Sequence, residues 1–264
     1  MPQPSSARLH EFTVVSNDRI AECVWSLVIE APRLAAAIRP GQFMNFEVPG
    51  NAASLLRIPL SYAAADPDAG TVEIWYAVVG DGTERLSHMA PGSSSTVLGP
   101  GGHGWSAPEG CARALLVGGG IGIPPLVPLA AALRERGVAF DACLGARTAD
   151  ALVGAGELAD LGAGTVAVAT DDGTAGVHGF VTDPVAVLLS AGSYDYVATC
   201  GPGVMMSRVA ELAHGAGAYC EASLERMMSC GFGACSTCNV ETTEGMKGAC
   251  MCGPVFDASK VVVW

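Results

Sequence analysis

The sequence predicts a multidomain β plus α/β chain: an antiparallel β-barrel, a parallel sheet wound with helices, and a small cysteine-rich unit. Three observations predict it. Short β-favouring runs separated by turn residues extend from Leu9 to about Leu98. From Ala112 to about Ala213, apolar strands alternate with helix-like segments. The stretch "CGFGACSTCNVETTEGMKGACMC", residues 230–252, then holds five of the ten cysteines. The three units are expected at 1–106, 107–215 and 216–264.

In the first unit the runs are "EFTVVS", "CVWSLVIEAP", "GQFMNFEVPG", "TVEIWYAVVGDG" and "STVLGPGG", a spacing that suits a small antiparallel barrel. The second unit pairs "ARALLVGGG" with "PPLVPLAAALRERG", "AFDACLGAR" with "ADALVGAGELADL", "TVAVATDD" with "FVTDPVAVLLS", and "YDYVATCGP" with "VMMSRVAELAHG". Strand and helix in alternation imply a parallel sheet covered on both faces. From about residue 215 the chain shows little regular pattern, so something other than a core is expected to hold it.

A chain of 264 residues, half of them hydrophobic, can bury a substantial core. Its net charge of −12 excludes nucleic acid and anionic membrane surfaces as natural partners, because both would repel it. The uncharged stretch Ala114 to Leu133 is nominally long enough to span a bilayer, but it contains four glycines and three prolines. It reads instead as a buried strand, a glycine loop and a helix beginning near Pro124. The opening "MPQPSSARLHEF" has no cationic run followed by an apolar one, so the expected location is cytoplasmic.

Cys230, Cys235 and Cys238 are spaced C-x4-C-x2-C, and Cys250 and Cys252 follow. This is the plant-type spacing for a [2Fe-2S] cluster, and Gly231 and Gly233 would let the backbone curl around it. A zinc site is the competing reading, although only Cys235 and Cys238 make a clean C-x2-C knuckle. Disulfides or buried free thiols are the remaining readings. Spacing leaves open whether Cys250 or Cys252 would be the fourth ligand.

"LLVGGGIGIPPL" sets Gly118, Gly119, Gly120 and Gly122 between a strand and a helix start, where bare backbone can approach a pyrophosphate. A tight strand-to-helix turn with no ligand is the alternative, and no acidic residue stands at an assignable ribose position. "ATCGPGVMM" repeats the arrangement at Cys200, Gly201 and Pro202. Cys200 there is either a small side chain against a flat nicotinamide ring or a buried cysteine before a turn.

Together these residues resemble the ferredoxin reductase superfamily, and more narrowly the electron-transfer subunits of NAD-dependent dihydroorotate dehydrogenases. The resemblance covers nearly the whole chain, through "IPLS", "VVGDGTERLSHMAPG", "LLVGGGIGIPPL", "LGAR", "TDDGTAGVHGFVTD", "TCGPGVMM", "SLERMMSCGFGACSTC" and "GPVF". It implies an FAD-binding barrel, a Rossmann-like NAD-binding unit and a terminal [2Fe-2S] unit. It places FAD on Arg57, Ile58, Pro59, Leu60, Ser61, Trp75, Tyr76, Ala77, Gly82 and Thr83. Ser61 would bond the flavin, and the Gly82-Thr83 turn would hold phosphate through backbone and hydroxyl donors. NAD(H) would lie over Gly118 to Gly122, with Cys200, Gly201 and Pro202 positioning the nicotinamide. The cluster ligands would be Cys230, Cys235, Cys238 and Cys250.

Two departures bear on the flavin: an arginine usual in the family is Ile58 here, with Arg57 beside it, and another is Ala77. A guanidinium that pairs with phosphate contributes on the order of a few kcal/mol. FAD rather than FMN is therefore an expectation of the resemblance. Without the resemblance, "IPLSYAAAD" and "VVGDGT" read as strand ends and hairpin turns.

The implied function is electron transfer between NADH, FAD and the cluster, and on to an FMN-containing dihydroorotate dehydrogenase catalytic subunit in a heterotetramer. The flavin must stand between a two-electron hydride donor and a one-electron acceptor. An NAD(P)H-dependent ferredoxin or sulfide oxidoreductase subunit is one alternative, and a non-enzymatic zinc or iron–sulfur redox sensor is another. NADH is expected over NADPH because Arg147 is the one obvious basic group near the second strand end of the nucleotide unit.

Overall fold

A computed structural model describes residues 7–50 and 56–264. Residues 1–6, part of the amino-terminal reading above, lie outside the described residues. The first unit runs β1 (Arg8–Ala21), β2 (Val24–Glu30), α1 (Pro32–Ala37), β3 (Phe43–Phe46), β4 (Ile58–Ser61), β5 (Ala64–Asp66), β6 (Thr71–Ala77), α2 (Asp81–Ser87) and β7 (Ser94–Gly101). All pairings are antiparallel, in the order β4-β3-β7-β1-β2-β6-β5. The sheet is a curled half-barrel with β4 and β5 as its edges. Alternation along the strands points Phe12, Val14, Leu27, Ile29, Met44, Phe46, Ile74 and Tyr76 into one core.

Helix α2 begins inside "VVGDGT", the run that reads as a strand end and hairpin turn, and extends past it to Ser87. The Thr83 hydroxyl accepts from the amides of Val79 and Gly80 at 2.9 and 3.2 Å, which closes the helix start.

The second unit continues with β8 (Arg113–Gly119), α3 (Leu126–Glu135), β9 (Ala139–Ala146), α4 (Ala155–Asp160), β10 (Val166–Thr170), β11 (Val177–His178), α5 (Thr182–Ala191), β12 (Tyr196–Cys200), α6 (Gly203–Gly215) and β13 (Tyr219–Ser223). Then come β14 (Asn239–Thr242), β15 (Gly245–Gly248), α7 (Ala249–Cys252) and β16 (Val255–Asp257). The second sheet has the order β11-β10-β9-β8-β12-β13-β16 and is parallel except for β16. Residues 114–133 are strand, glycine turn and helix, and among the described residues no helix is long and apolar enough to cross a membrane.

The stretch after residue 215 is more regular than the sequence suggested. It supplies two strands of the parallel sheet, β13 and β16, besides the β14–β15 hairpin. It also has a core. Met228, Cys238, Val240, Ala249, Cys250, Phe256, Ala258 and Val261 join one buried cluster with Val197, Met206 and Val209. On the opposite face of the sheet α3 and α4 bury a second cluster, which takes in Trp75 of β6.

Glu221, 4% exposed in the middle of β13, ties the units together. Its carboxylate accepts from the Ser106 amide at 2.9 Å and the Tyr196 hydroxyl at 2.6 Å, and it also bonds the Ser106 hydroxyl. A buried carboxylate needs such donors to offset the water it has lost.

Candidate functional site

A cleft of about 500 Å³ opens between the half-barrel and the C-terminal ends of the parallel strands. Ile58, Pro59, Leu60 and Ser61 of β4 line it, with Trp75 and Ala77 of β6, Thr83, and Cys200 at the end of β12. Strand alternation puts Trp75 and Ala77 on the cleft face and sends Tyr76 the other way. Tyr76 is fully buried in the barrel core, and its hydroxyl donates to Asn17 at 3.0 Å, so only its backbone is near the cleft.

Three of the expected flavin contacts have protein partners. The Arg57 guanidinium donates to the backbone oxygen and hydroxyl of Thr96 at 3.0 and 2.9 Å. The Thr83 hydroxyl donates to the Gly80 carbonyl at 3.0 Å. Gly82 does not line the cleft, and it packs so close to Ile58 that a Cβ there would stand 3.2 Å from Cδ1. The Ser61 hydroxyl, in contrast, makes no hydrogen bond among the described residues, which leaves it for a ligand, while the Ser61 backbone stays in the β3–β4 ladder.

A second cleft, of about 400 Å³, is walled by Gly119, Gly120 and Gly122 after β8 and by Gly201, Pro202 and Gly203 after β12. β8 and β12 are neighbours, with Gly118 opposite Cys200, so their two turns meet. A Cβ on Gly122 would stand 2.5 Å from the Cys200 carbonyl group, and one on Gly119 would stand 2.5 Å from the Met205 sulfur. Gly120 has φ +55° with open space around it. The turns therefore form a bare-backbone cradle at the start of α6, whose first turn carries no acidic residue. That fits a pyrophosphate, which favours exposed amides and the positive end of a helix dipole. Gly118 is set apart: its missing side chain admits Ile123, and it does not line the cleft.

Cys200 is 4% exposed, and burial pushes its thiol up to about 12, with the charge of Glu225 adding to the effect. It is a neutral thiol at physiological pH, suited to contact and unsuited to nucleophilic attack.

Beyond the glycines a further cleft of about 590 Å³ is lined by Arg147, Asp171, Phe180, Val204 and Arg208. Sequence reasoning found Arg147 and missed Asp171 and Arg208. Asp171 directly follows β10 and brings a carboxylate to the same cleft as the two arginines. Arg208 comes from α6, brought in only by the topology.

The cysteines come as two pairs. Cys235 interacts with Cys230, and hydrogen bonds from the Thr237 hydroxyl and amide hold its thiol down to about 6. Cys250 interacts with Cys238, and burial first, then that neighbour, pushes its thiol up to about 12. The Cys250 amide donates to Cys238 Sγ at 3.4 Å, and the Ala234 amide to Cys230 Sγ at 3.3 Å. Among the described residues no three His, Cys, Asp or Glu side chains converge as a single metal ion requires. The four thiols of Cys230, Cys235, Cys238 and Cys250 match the four-cysteine donor set that a [2Fe-2S] cluster would take. Gly231 and Gly233, at φ +74° and +89°, make the intervening turns, and Gly231 sits against Asn45 of β3.

Cys250 is buried and Cys252 exposed. The segment carrying the first cysteine also lines the flavin-side cleft, through Leu224, Glu225, Arg226, Met227 and Met228.

Comparisons with known proteins agree with this arrangement. The profile of the iron-sulfur cluster binding domain of dihydroorotate dehydrogenase B matches residues 225–262. The chain is 42% identical over 258 residues to the dihydroorotate dehydrogenase B (NAD(+)) electron transfer subunit of Geobacillus thermodenitrificans, covering 95% of this chain and 97% of that one. It is 40% identical to the subunit of the same name from Bacillus caldolyticus, with the same coverages. Among solved structures it is similar to a chain of the NADH-dependent reduced ferredoxin-NADP oxidoreductase studied for flavin-based electron bifurcation. That match has TM-score 0.86 and 33% identity, and covers 96% of this chain and 90% of that one.

Proposed function

The chain belongs to the family of electron transfer subunits of dihydroorotate dehydrogenase B (NAD(+)), and from that premise we propose how its residues divide the work. It is an oxidoreductase subunit that takes FAD, a [2Fe-2S] cluster and NAD(H). When bound, the three groups together supply hydride donation, conversion of an electron pair to single electrons, and one-electron delivery.

FAD is assigned to the cleft of Ile58–Ser61, Trp75 and Ala77, with Ser61 presenting its free hydroxyl and the bulk of Trp75 excluding water. Gly119, Gly120, Gly122, Gly201 and Pro202 are assigned to the dinucleotide. Cys200 offers a small uncharged surface that lets the nicotinamide approach the flavin. Cys230 with Cys235, and Cys238 with Cys250, hold the cluster. No side chain is assigned as a general acid or base, because the chain's task is to position and insulate the carriers.

One observation carries this reading: a single segment, Leu224 to Met228, lines the cleft and runs directly into Cys230. That continuity supports a cluster held beside the flavin.

The electrons go to a separate catalytic subunit, and we place the two in an FMN-containing heterotetramer in the cytoplasm, with NADH at the nucleotide site. A second reading changes only the partner. The 33% identity to a chain of an NADH-dependent ferredoxin-NADP oxidoreductase supports it.

Anaerobic purification with the native partner tests both. The expected preparation contains flavin and iron in a ratio of about 1:2 on this chain, is bleached by NADH, and co-purifies with an FMN subunit that oxidises dihydroorotate. Stoichiometric zinc in place of iron overturns the electron-transfer assignment, and a partner inert toward dihydroorotate favours the second reading.

A further inference from the structure

The flavin-side cleft and the glycine cleft share three residues, Ile121, Glu225 and Arg226. Glu225 and Arg226 are the only charged side chains that line either cleft among the described residues. Every other lining side chain is neutral and most are apolar, so these two are the side-chain charges a bound ligand would meet, beside the amides at the start of α6.

Both side chains line both clefts, and they meet different neighbours. Glu225 lies near Cys200, where its negative charge raises the thiol. Its carboxyl makes no hydrogen bond among the described residues. It is open to solvent within the cleft, yet the surrounding protein desolvates it enough to raise it above the ordinary carboxylate range. Arg226 turns toward the chain segment beside α6. It donates through Nη2 to the Val263 carbonyl at 2.7 Å and through Nη1 to the Glu225 carbonyl at 2.8 Å, which leaves the other guanidinium N–H donors for the cleft. Gly203, the first residue of α6, lies against Trp264 there, a Cβ on it standing 3.0 Å from the Trp264 carbonyl carbon.

We propose that Glu225 and Arg226 form an oriented charge pair that reads the dinucleotide, with the guanidinium serving the pyrophosphate and the carboxylate facing the nicotinamide. The assignment rests on the nucleotide reading above. It follows from the ligand's own charges. The pyrophosphate is anionic in both redox states, whereas the nicotinamide is neutral in NADH and cationic in NAD+. Arg226 therefore contributes to both forms equally, and Glu225 contributes selectively to NAD+. A carboxylate in that position favours hydride leaving the nicotinamide, because the positive charge that appears on it is stabilised in place.

Equilibrium binding of NAD+, NADH and ADP-ribose to the flavin-loaded full chain tests the pair without measuring turnover. ADP-ribose carries the pyrophosphate and lacks the nicotinamide. Arg226→Gln is expected to weaken all three ligands by about tenfold, and Glu225→Gln to weaken NAD+ by about tenfold while leaving NADH and ADP-ribose within about twofold. A wild-type chain that does not bind ADP-ribose overturns the nucleotide reading itself. A wild-type chain that binds it, with Arg226→Gln unchanged or with Glu225→Gln shifting all three ligands alike, overturns only the pair.

Should Glu225→Gln fail to fold, Glu225→Asp must keep the wild-type ratio of NAD+ to NADH affinity, and its loss counts against the proposal. Should Arg226→Gln fail to fold, wild-type affinity for ADP-ribose must fall at least threefold between about 50 mM and about 500 mM NaCl. Salt-independent binding overturns the role of Arg226.

Discussion

Cys250 and Cys252 stand two residues apart on α7, a separation of roughly 200° around a helix. One thiol consequently faces Cys238 and the core while the other faces solvent. Cys250→Ser is expected to abolish the cluster, and Cys252→Ser to leave most of it, as read by iron content and visible absorbance of anaerobic protein. The reverse result would exchange their roles. Spacing alone left this choice open because helix phase is not written in a C-x-C pattern. Cys230, Cys235 and Cys238 were legible as candidate ligands because C-x4-C-x2-C is a local constraint on one loop. Asp171, Arg208, Glu225 and Arg226 were not legible as site residues. Asp171 follows β10, Arg208 lies on α6 and the adjacent Glu225 and Arg226 follow β13, and only the parallel sheet's topology brings those segments to the clefts. Arg57, adjacent in sequence to the expected position, is turned onto Thr96 of β7, a contact that only the sheet's pairing creates.

At the level of elements, the alternation of apolar strand and helix was legible from β8 through α6, because β8, β9 and β12 are nearly continuous buried runs. β13 was missed for a physical reason. Its five residues, Tyr-Cys-Glu-Ala-Ser, carry a carboxylate in the middle, which reads as surface until Ser106 and Tyr196 arrive to satisfy it. The glycine turn after β8 was legible as a turn but not as one half of a pair. Its partner is the Cys200-Gly201 turn, some eighty residues later in the sequence, and the contact between them makes a prediction. In Gly122→Ala the new methyl meets backbone rather than a flexible side chain, at 2.5 Å, so one of the two turns must move. The expected cost is about 1–3 kcal/mol of stability in urea unfolding, accompanied by weaker ADP-ribose binding. Gly120→Ala meets open space and carries only the strain of φ +55°, about 1–2 kcal/mol. Its effect on binding should be the smaller of the two. Equal binding losses in both variants would show that the two turns do not share the cradle.

Across the whole molecule, three buried clusters do not correspond to three sequence units. The half-barrel has its own core, while the residues after 215 divide one core with α5 and α6 of the nucleotide unit. Burial of this kind, at about 25 cal/mol per Å² of apolar surface, contributes whether or not a metal is present. Removing residues 216–264 would strip β13 from the side of β12, leaving an unpaired parallel edge. It would also uncover Val197, Met206, Val209 and Ala213, which pack against Cys220, Ala222, Phe256 and Ala258 in the same cluster. A fragment of residues 107–264 is therefore expected to unfold cooperatively in urea. A fragment of residues 107–215 is expected to bind hydrophobic dyes and to show no sigmoidal transition. A cooperative transition in the shorter fragment would mean that β13 and β16 are additions to a finished sheet. The cluster loop would then depend on its metal for its place, and the continuity between cleft and cysteines would be a consequence of cofactor binding instead of its scaffold.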